Sequence, residues 1–155
     1  MSGQASGEGF VALGIAVLTV SDTRSEADDR SGAYLAEAVQ AAGHRLAARR
    51  IVPDDRYRIR AELSAWIADP SVHAVLMTGG TGLTGRDVTP EAVRPLLDRE
   101  IEGFGELFRW LSYEEIGTST LQSRALAGVA NGTVIFCLPG STGRLKAKSG
   151  CVVRT

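Results

Sequence analysis

"HAVLMTGGTGLTGRDVTPEA", residues 73–92, joins an apolar run to a glycine-rich stretch and then to a proline-led helix start. The run 73–78 has the length and β-branched, apolar character of a buried strand. Thr89 and Pro90 read as the N-cap and first residue of a helix over "PEAVRPLLD". Pro95 lies inside that pattern and should kink or end it. Between strand and helix stand Gly79, Gly80, Gly82, Gly85 and one acid, Asp87. Glycine allows positive φ and close backbone approach but loses more freedom on folding than any other residue. Such a cluster therefore calls for a reason. Successive loop amides can form an anion-binding concavity, so "TGGTG" (78–82) reads as a phosphate or pterin cradle or, more plainly, as a tight strand-to-helix turn. A carboxylate beside a phosphate needs a cation. Mg²⁺ takes one or two carboxylates together with phosphate oxygens.

The same strand–loop–helix unit recurs on both sides. "GIAVLTV" (14–20) reads as a buried strand ended by "SDTR". "DDRSGAYLAEAVQAAG" (28–43) carries Leu35, Val39 and Ala42 at helical spacing, with Gly43 as its stop. "HRLAARRIV" (44–52) reads as a strand leading into "PDD", and residues 55–69 as a helix with Ile59, Leu63, Trp66 and Ile67 on one face. Asp54 or Asp55 is placed to cap that helix, leaving the other free. "GFGELFRWLSYEE" and "STLQSRALAGVA" both read as helices, and "NGTVIFCL" (131–138) as a strand closed by "PGSTG". Strands alternating with helices imply parallel pairing, and an open α/β sheet binds ligands beyond the carboxyl ends of its strands. The loops at 21–24, 53–55, 78–87 and 139–142 should then meet in one cleft.

Composition narrows the classes. The 155 residues suggest one domain able to bury about 70% of its unfolded surface. The formal net charge of −1 argues against nucleic-acid or anionic-membrane binding. No apolar run approaches the roughly 20 residues of a membrane span. Cys137 and Cys151 form no CxxC pair, which suits reduced thiols and a cytoplasmic protein. His44 and His73 lack metal-ligand spacing. Residues 1–10 read as a flexible tail.

Three further stretches bear on function. "GTGLTG" (80–85) satisfies GxGxxG, but the helix opens only near Pro90 and no acid ends a second strand about 20 residues on, which disfavours a dinucleotide site. In "YEEIGTSTLQSRA" (113–125), Glu114, Glu115, Gln122, Ser123 and Arg124 read as a solvated face or a subunit contact. Phe104, Leu107, Phe108, Trp110 and Leu111 cover more than one helix face, as in a deeply buried helix or one at an interface.

"AVLTVSDTR", "IVPDD", "TGGTGLTGRDVTPEA", "EGFGELFR", "SYEEIGTSTLQSRA" and "LPGST" together resemble the MoaB/MogA family of molybdenum-cofactor biosynthesis proteins, over about residues 11–143. The resemblance implies a three-layer α/β/α sandwich with a mostly parallel sheet, assembled as a homotrimer or homohexamer. It implies adenylylation of molybdopterin with Mg-ATP, GTP not being ruled out, and a molybdotransferase partner protein. It gives Asp54 and Asp87 catalytic roles and the placing of Mg²⁺. Substrate binding would fall to Ser21 and Asp22 in the first loop, to Thr78, Gly79, Gly80, Thr81 and Gly82 in the glycine loop, and to Pro139, Gly140 and Ser141 in the last. A non-catalytic molybdopterin-binding or scaffold member of the family is the alternative. Residues 144–155 depart from the helix with which the family continues, as a truncation or frameshift would.

Overall fold

The computed structural model describes residues 9–141. Residues 1–8 and 142–155, and with them most of the expected N-terminal tail, Thr142 and the atypical C-terminal stretch, lie outside the described residues. Six strands form one sheet: β1 (Gly14–Val20), β2 (Arg45–Val52), β3 (Ala74–Thr78), β4 (Arg99–Glu100), β5 (Leu126–Ala130) and β6 (Thr133–Leu138). Their order is β2-β1-β3-β6-β5-β4. The first four in that order run parallel, β5 pairs antiparallel with β6, and β4 pairs antiparallel with β5 at the edge.

The alternation of side chains explains the three layers. Along β1, Ile15 and Val17 point to one face, while Ala16, Leu18 and Val20 point to the other. The first face packs on α1 (Arg30–Ala41) through Leu35 and Val39 and on α4 (Glu102–Ile116) through Phe108. The second packs on α2 (Arg56–Ala68) through Ile59, Leu63 and Trp66 and on α3 (Thr89–Val93) through Ala92 and Val93. A sheet covered on both faces needs continuous apolar runs in its central strands, as β1 and β3 show. The expected α/β/α sandwich is thus the observed one. Among the described residues no helix is long and apolar enough to cross a membrane.

Three local expectations need correcting or sharpening. Residues 119–130 were expected to be helical. Instead a 3₁₀ segment, Gly117–Gln122, leads into β5. The cause is the two-residue turn Asn131–Gly132, with φ of 51° and 79°, which pairs Ala130 with Thr133 and folds β5 back along β6. Thr89 is not a cap, because its hydroxyl donates to Gly79 O (2.9 Å) and the residue preceding α3 is Val88. Pro95 does end α3: the α-helix stops at Val93 and continues as a 3₁₀ turn over Arg94–Leu96.

The remaining singled-out residues have structural surroundings. Nδ1 of His44 accepts the Leu13 N–H, and Nδ1 of His73 accepts the Gly14 N–H. Cys137 is a buried free thiol within β6, and burial pushes its pKa up to about 12, which leaves it unreactive at neutral pH.

Candidate functional site

The chain places β2 and β3 on opposite sides of β1, so the loops after β1 and β3 diverge around a topological switch point. In open α/β sheets that crevice receives the ligand. Hydrogen bonds tie the four expected loops together there. Ser21 Oγ accepts the N–H groups of Thr23 (3.3 Å) and Arg24 (3.1 Å), which shapes the first loop around Asp22. Asp22 Oδ1 accepts the Asp54 N–H at 3.0 Å, joining the loops after β1 and β2. Arg86 donates from Nε and Nη2 to the two oxygens of Asp22, each at 2.9 Å, and brings in the loop after β3. The Gly79 N–H donates to Leu138 O and the Thr78 hydroxyl to Pro139 O, both at 3.0 Å, and these attach the loop after β6.

The glycine loop explains its own composition. Gly79 and Gly80 have φ of 103° and 70°, a region open to glycine and strained for other residues. A Cβ at Gly79 would strike Val20 O, and one at Gly80 the Thr89 hydroxyl. A Cβ at Gly82 would lie 2.7 Å from Asp87 Oδ2, so this glycine makes room for the acid. A Cβ at Gly85 would meet nothing within 4 Å. The amides of Gly80, Thr81 and Gly82 donate to no other described residue, the condition an anion cradle requires.

The carboxylates differ in role. Asp55, not Asp54, caps α2, its Oδ1 accepting the N–H groups of Tyr57 (2.8 Å) and Arg58 (3.0 Å). Asp54 is left half-buried beside Gly80. Burial above all, and then the charges of Asp22 and Asp87, raise its pKa above the ordinary carboxylate value, while Arg86 acts in the opposite sense. Asp22 is lowered, chiefly by its hydrogen bond from Arg86 and then by the Asp54 amide. Asp87 Oδ2 accepts the Thr84 N–H at 2.9 Å and the Thr84 hydroxyl at 2.7 Å, so this acid braces its own loop while bordering the cleft.

Among the described residues no three His, Cys, Asp or Glu side chains gather into a metal-holding group. Asp54 and Asp87 nevertheless suit Mg²⁺, which is commonly held by one or two carboxylates and completed by phosphate oxygens and water. The burial of Asp54 and, after it, the neighbouring charges of Asp22 and Asp87 disfavour its ionised form, and a bound cation would offset that cost.

Not every expected binding residue faces the cleft. Thr78 is fully buried with its hydroxyl on Pro139 O, and the Gly79 amide is engaged by Leu138 O; both join strand ends. Pro139 is buried, whereas Gly140 and Ser141 are exposed.

A solvated face is one reading of Arg124, and the structure replaces it with a position packed against the glycine loop. Its N–H donates to Thr81 O (3.0 Å), Nε to Gly82 O (2.8 Å) and Nη2 to Asp87 O (2.7 Å), while Nη1 pairs with Glu91. One guanidinium from the segment before β5 thus clamps both ends of the loop that carries Asp87. Ser123 is buried beside it, whereas Glu114, Glu115 and Gln122 are exposed. On α4, Phe104 and Phe108 pack inward on Phe136 and the sheet, while Leu107, Trp110 and Tyr113 are exposed.

A family model described as "Probable molybdopterin binding domain" matches residues 16–152. Molybdenum cofactor biosynthesis protein B of Escherichia coli (strain K12) is 62% identical over 133 residues, which cover 86% of this chain and 78% of that protein. A solved structure of a molybdenum cofactor biosynthesis protein B superposes with a TM-score of 0.87 at 44% identity, over 92% of this chain and 90% of that one. The tungsten cofactor synthesizing protein MoaB from Pyrococcus furiosus superposes with a TM-score of 0.80 at 39% identity, over 88% of this chain and 87% of that one.

Proposed function

The chain belongs to the molybdopterin-binding family of molybdenum cofactor biosynthesis, and we propose that this member is a Mg²⁺-dependent molybdopterin adenylyltransferase. The observation that carries this reading is the placement of Asp54, from the loop after β2, against the glycine loop that itself carries Asp87. In the reaction, an oxygen of the pterin's terminal phosphate forms a bond to the α-phosphorus of ATP. The bond from that phosphorus to the bridging oxygen breaks, and pyrophosphate leaves with the electron pair. No electrons are exchanged with an external donor. Such a transfer asks the protein for positioning and charge stabilisation rather than covalent chemistry.

The chain's residues divide that work. Backbone amides of Gly80, Thr81 and Gly82 receive anionic phosphate oxygens. Asp54 and Asp87 hold Mg²⁺, which when bound neutralises charge on the leaving group. Arg124 fixes the loop on which Asp87 stands. The test is incubation of the purified chain with molybdopterin, ATP and Mg²⁺, with GTP in parallel. Adenylylated molybdopterin and one equivalent of pyrophosphate are expected. Molybdopterin binding with no product in any arm would overturn the transferase reading in favour of a binding or scaffold role. The hydrogen bonds from Thr84 to Asp87 support that second reading, since they give the acid a purely structural use.

Assembly belongs to the same proposal. Trp110 and Leu107 on α4 and Leu121 after it are 64%, 53% and 78% exposed, which suits a contact between subunits of a homotrimer or homohexamer. Sedimentation as a monomer at micromolar concentration would overturn it. A molybdotransferase as the acceptor of the product, and a cytoplasmic location, complete the reading.

A further inference from the structure

We propose that Arg86 is a phosphate-binding arm, held on Asp22 until a phosphorylated ligand enters the cleft and then transferred to that ligand's oxygens. The inference rests on the reading of the cleft as a phosphate site. Arg86 presents Nε and Nη2 as a planar fork to both oxygens of Asp22 at 2.9 Å. The same fork matches two oxygens of a phosphate, which carries more charge than a carboxylate. The side chains of Arg86 and Asp22 are 68% and 35% exposed. An ion pair so open to water contributes little to stability, so changing its partner costs the fold little.

The position of the pair gives the exchange its purpose. Asp22 and Arg86 come from the loops after β1 and β3, on either side of the switch point, and Arg86 immediately precedes Asp87. A phosphate entering here meets the carboxylates of Asp22, Asp54 and Asp87. A guanidinium that leaves one of them for the ligand adds an attractive contact where the field is otherwise repulsive. Asp22 keeps a partner after release, because its Oδ1 still accepts the Asp54 N–H. Joining two loops permanently is the competing role for the same ion pair, and the two roles differ in the sign of one substitution.

Calorimetry with inorganic pyrophosphate and Mg²⁺ reads that sign on wild type, Arg86→Ala, Asp22→Asn and the double variant. The Asp22→Asn substitution keeps a carbonyl acceptor for the Asp54 amide while releasing the guanidinium. The transferable arm requires Arg86→Ala to weaken pyrophosphate at least tenfold and Asp22→Asn to tighten it several-fold. In the double variant the gain from Asp22→Asn should shrink, since a gain that flows through Arg86 needs Arg86 present. A fixed tie between loops makes both single substitutions weaken binding or leave it unchanged, and either result overturns the proposal. A gain of equal size with and without Arg86 is a pure field effect and overturns it too. Arg86→Lys, which keeps the charge without the fork, should fall between wild type and Arg86→Ala. Repeating the titrations with Mg-ATP and with molybdopterin shows whose phosphate the arm takes. Wild-type protein that binds none of these probes defeats the phosphate-site reading and this inference with it. Wild type that binds them, with Arg86→Ala equal to it, defeats this inference alone.

Discussion

Two aspartates near the carboxyl edge of the sheet live in opposite surroundings. Asp29, at the N-terminus of α1, is 1% exposed and fully occupied: it accepts the Gly32 N–H (3.0 Å) and the Thr19 hydroxyl (2.7 Å) and pairs with Arg49 at 3.3 Å. Asp54, in the loop after β2, is half-buried, and burial first and then the charges of Asp22 and Asp87 raise its pKa against the opposing charge of Arg86. A carboxylate surrounded by donors holds a fold together. A half-buried carboxylate with two further acids beside it carries a penalty that a bound cation would offset, and such local conflicts concentrate at functional sites.

The largest expected effect sits on the cleft side of that contrast. Asp87→Asn keeps an acceptor for Thr84 but removes the charge, so molybdopterin should bind with similar affinity while adenylyl transfer falls. The fall should reach about a hundredfold or more, since a positioned metal supplies several kcal/mol of transition-state stabilisation. Thermal stability, pterin binding and single-turnover rate on one preparation decide it. A variant that is less stable yet fully active would move Asp87 to the structural side with Asp29.

Asp29→Ala comes next and should act on stability. It removes a helix cap and strands the partly buried Arg49, a combined loss of about 2–4 kcal/mol. Urea titration should show a lower midpoint with an unchanged slope, and binding per folded molecule should be unaltered. A loss of ligand affinity in the folded fraction would break the division between the two aspartates.

Arg124 joins the two sides, and its expected effect is intermediate. Arg124→Ala leaves the carbonyls of Gly82 and Asp87 without their donors and should lower stability by about 1–3 kcal/mol. It should also speed hydrogen exchange at loop amides 80–87 and weaken pyrophosphate binding. Arg124→Lys keeps a charge for Glu91 but cannot span two carbonyls, so it should recover part of the stability and less of the binding. Loop protection unchanged in Arg124→Ala would show that the glycine loop holds its shape unaided.

The sequence disclosed the cleft more readily than the clamp, for physical reasons. β1 and β3 are short apolar runs that end in polar or glycine-rich turns, so strand, loop and edge could be read locally, and Asp54 and Asp87 came with them. β5 could not be read that way. "ALAGVA" carries residues that favour helices, and its strand state comes from pairing with β6 across the turn at Asn131–Gly132. That signal was present in "ANGT", an Asn-Gly between two apolar runs. Arg124 offered no local signal, since the partners of its guanidinium lie 33, 37 and 42 residues away. The capping role of Asp55 was visible, but its assignment over Asp54 needed the backbone.

The smallest expected effect tests the comparison most directly, because its sign is the opposite of that at Asp29. The folded protein raises the pKa of Asp54 above the ordinary carboxylate value that the unfolded chain has, first through burial and then through Asp22 and Asp87. The native state therefore holds the proton more tightly than the unfolded state. The stability this group contributes is fully present below the ordinary carboxylate pKa and is lost as pH rises through the raised one. At neutral pH the ionised group is left as a penalty. Asp54→Asn carries no such charge, so it should melt at a slightly higher temperature than wild type at neutral pH. The gain should shrink as pH is lowered through the window between the raised and ordinary values. Asp22, lowered by Arg86, runs the other way: its contribution is lost as pH falls through its depressed pKa. Reading the difference between variant and wild type at each pH removes most of that background. Mg²⁺ with pyrophosphate should narrow the gap by stabilising wild type more than the variant, since the cation takes the place of the missing countercharge. If Asp54→Asn instead melts lower at neutral pH, Asp54 is a satisfied structural acid like Asp29. The cleft would then have lost the feature that marks it as a cation site.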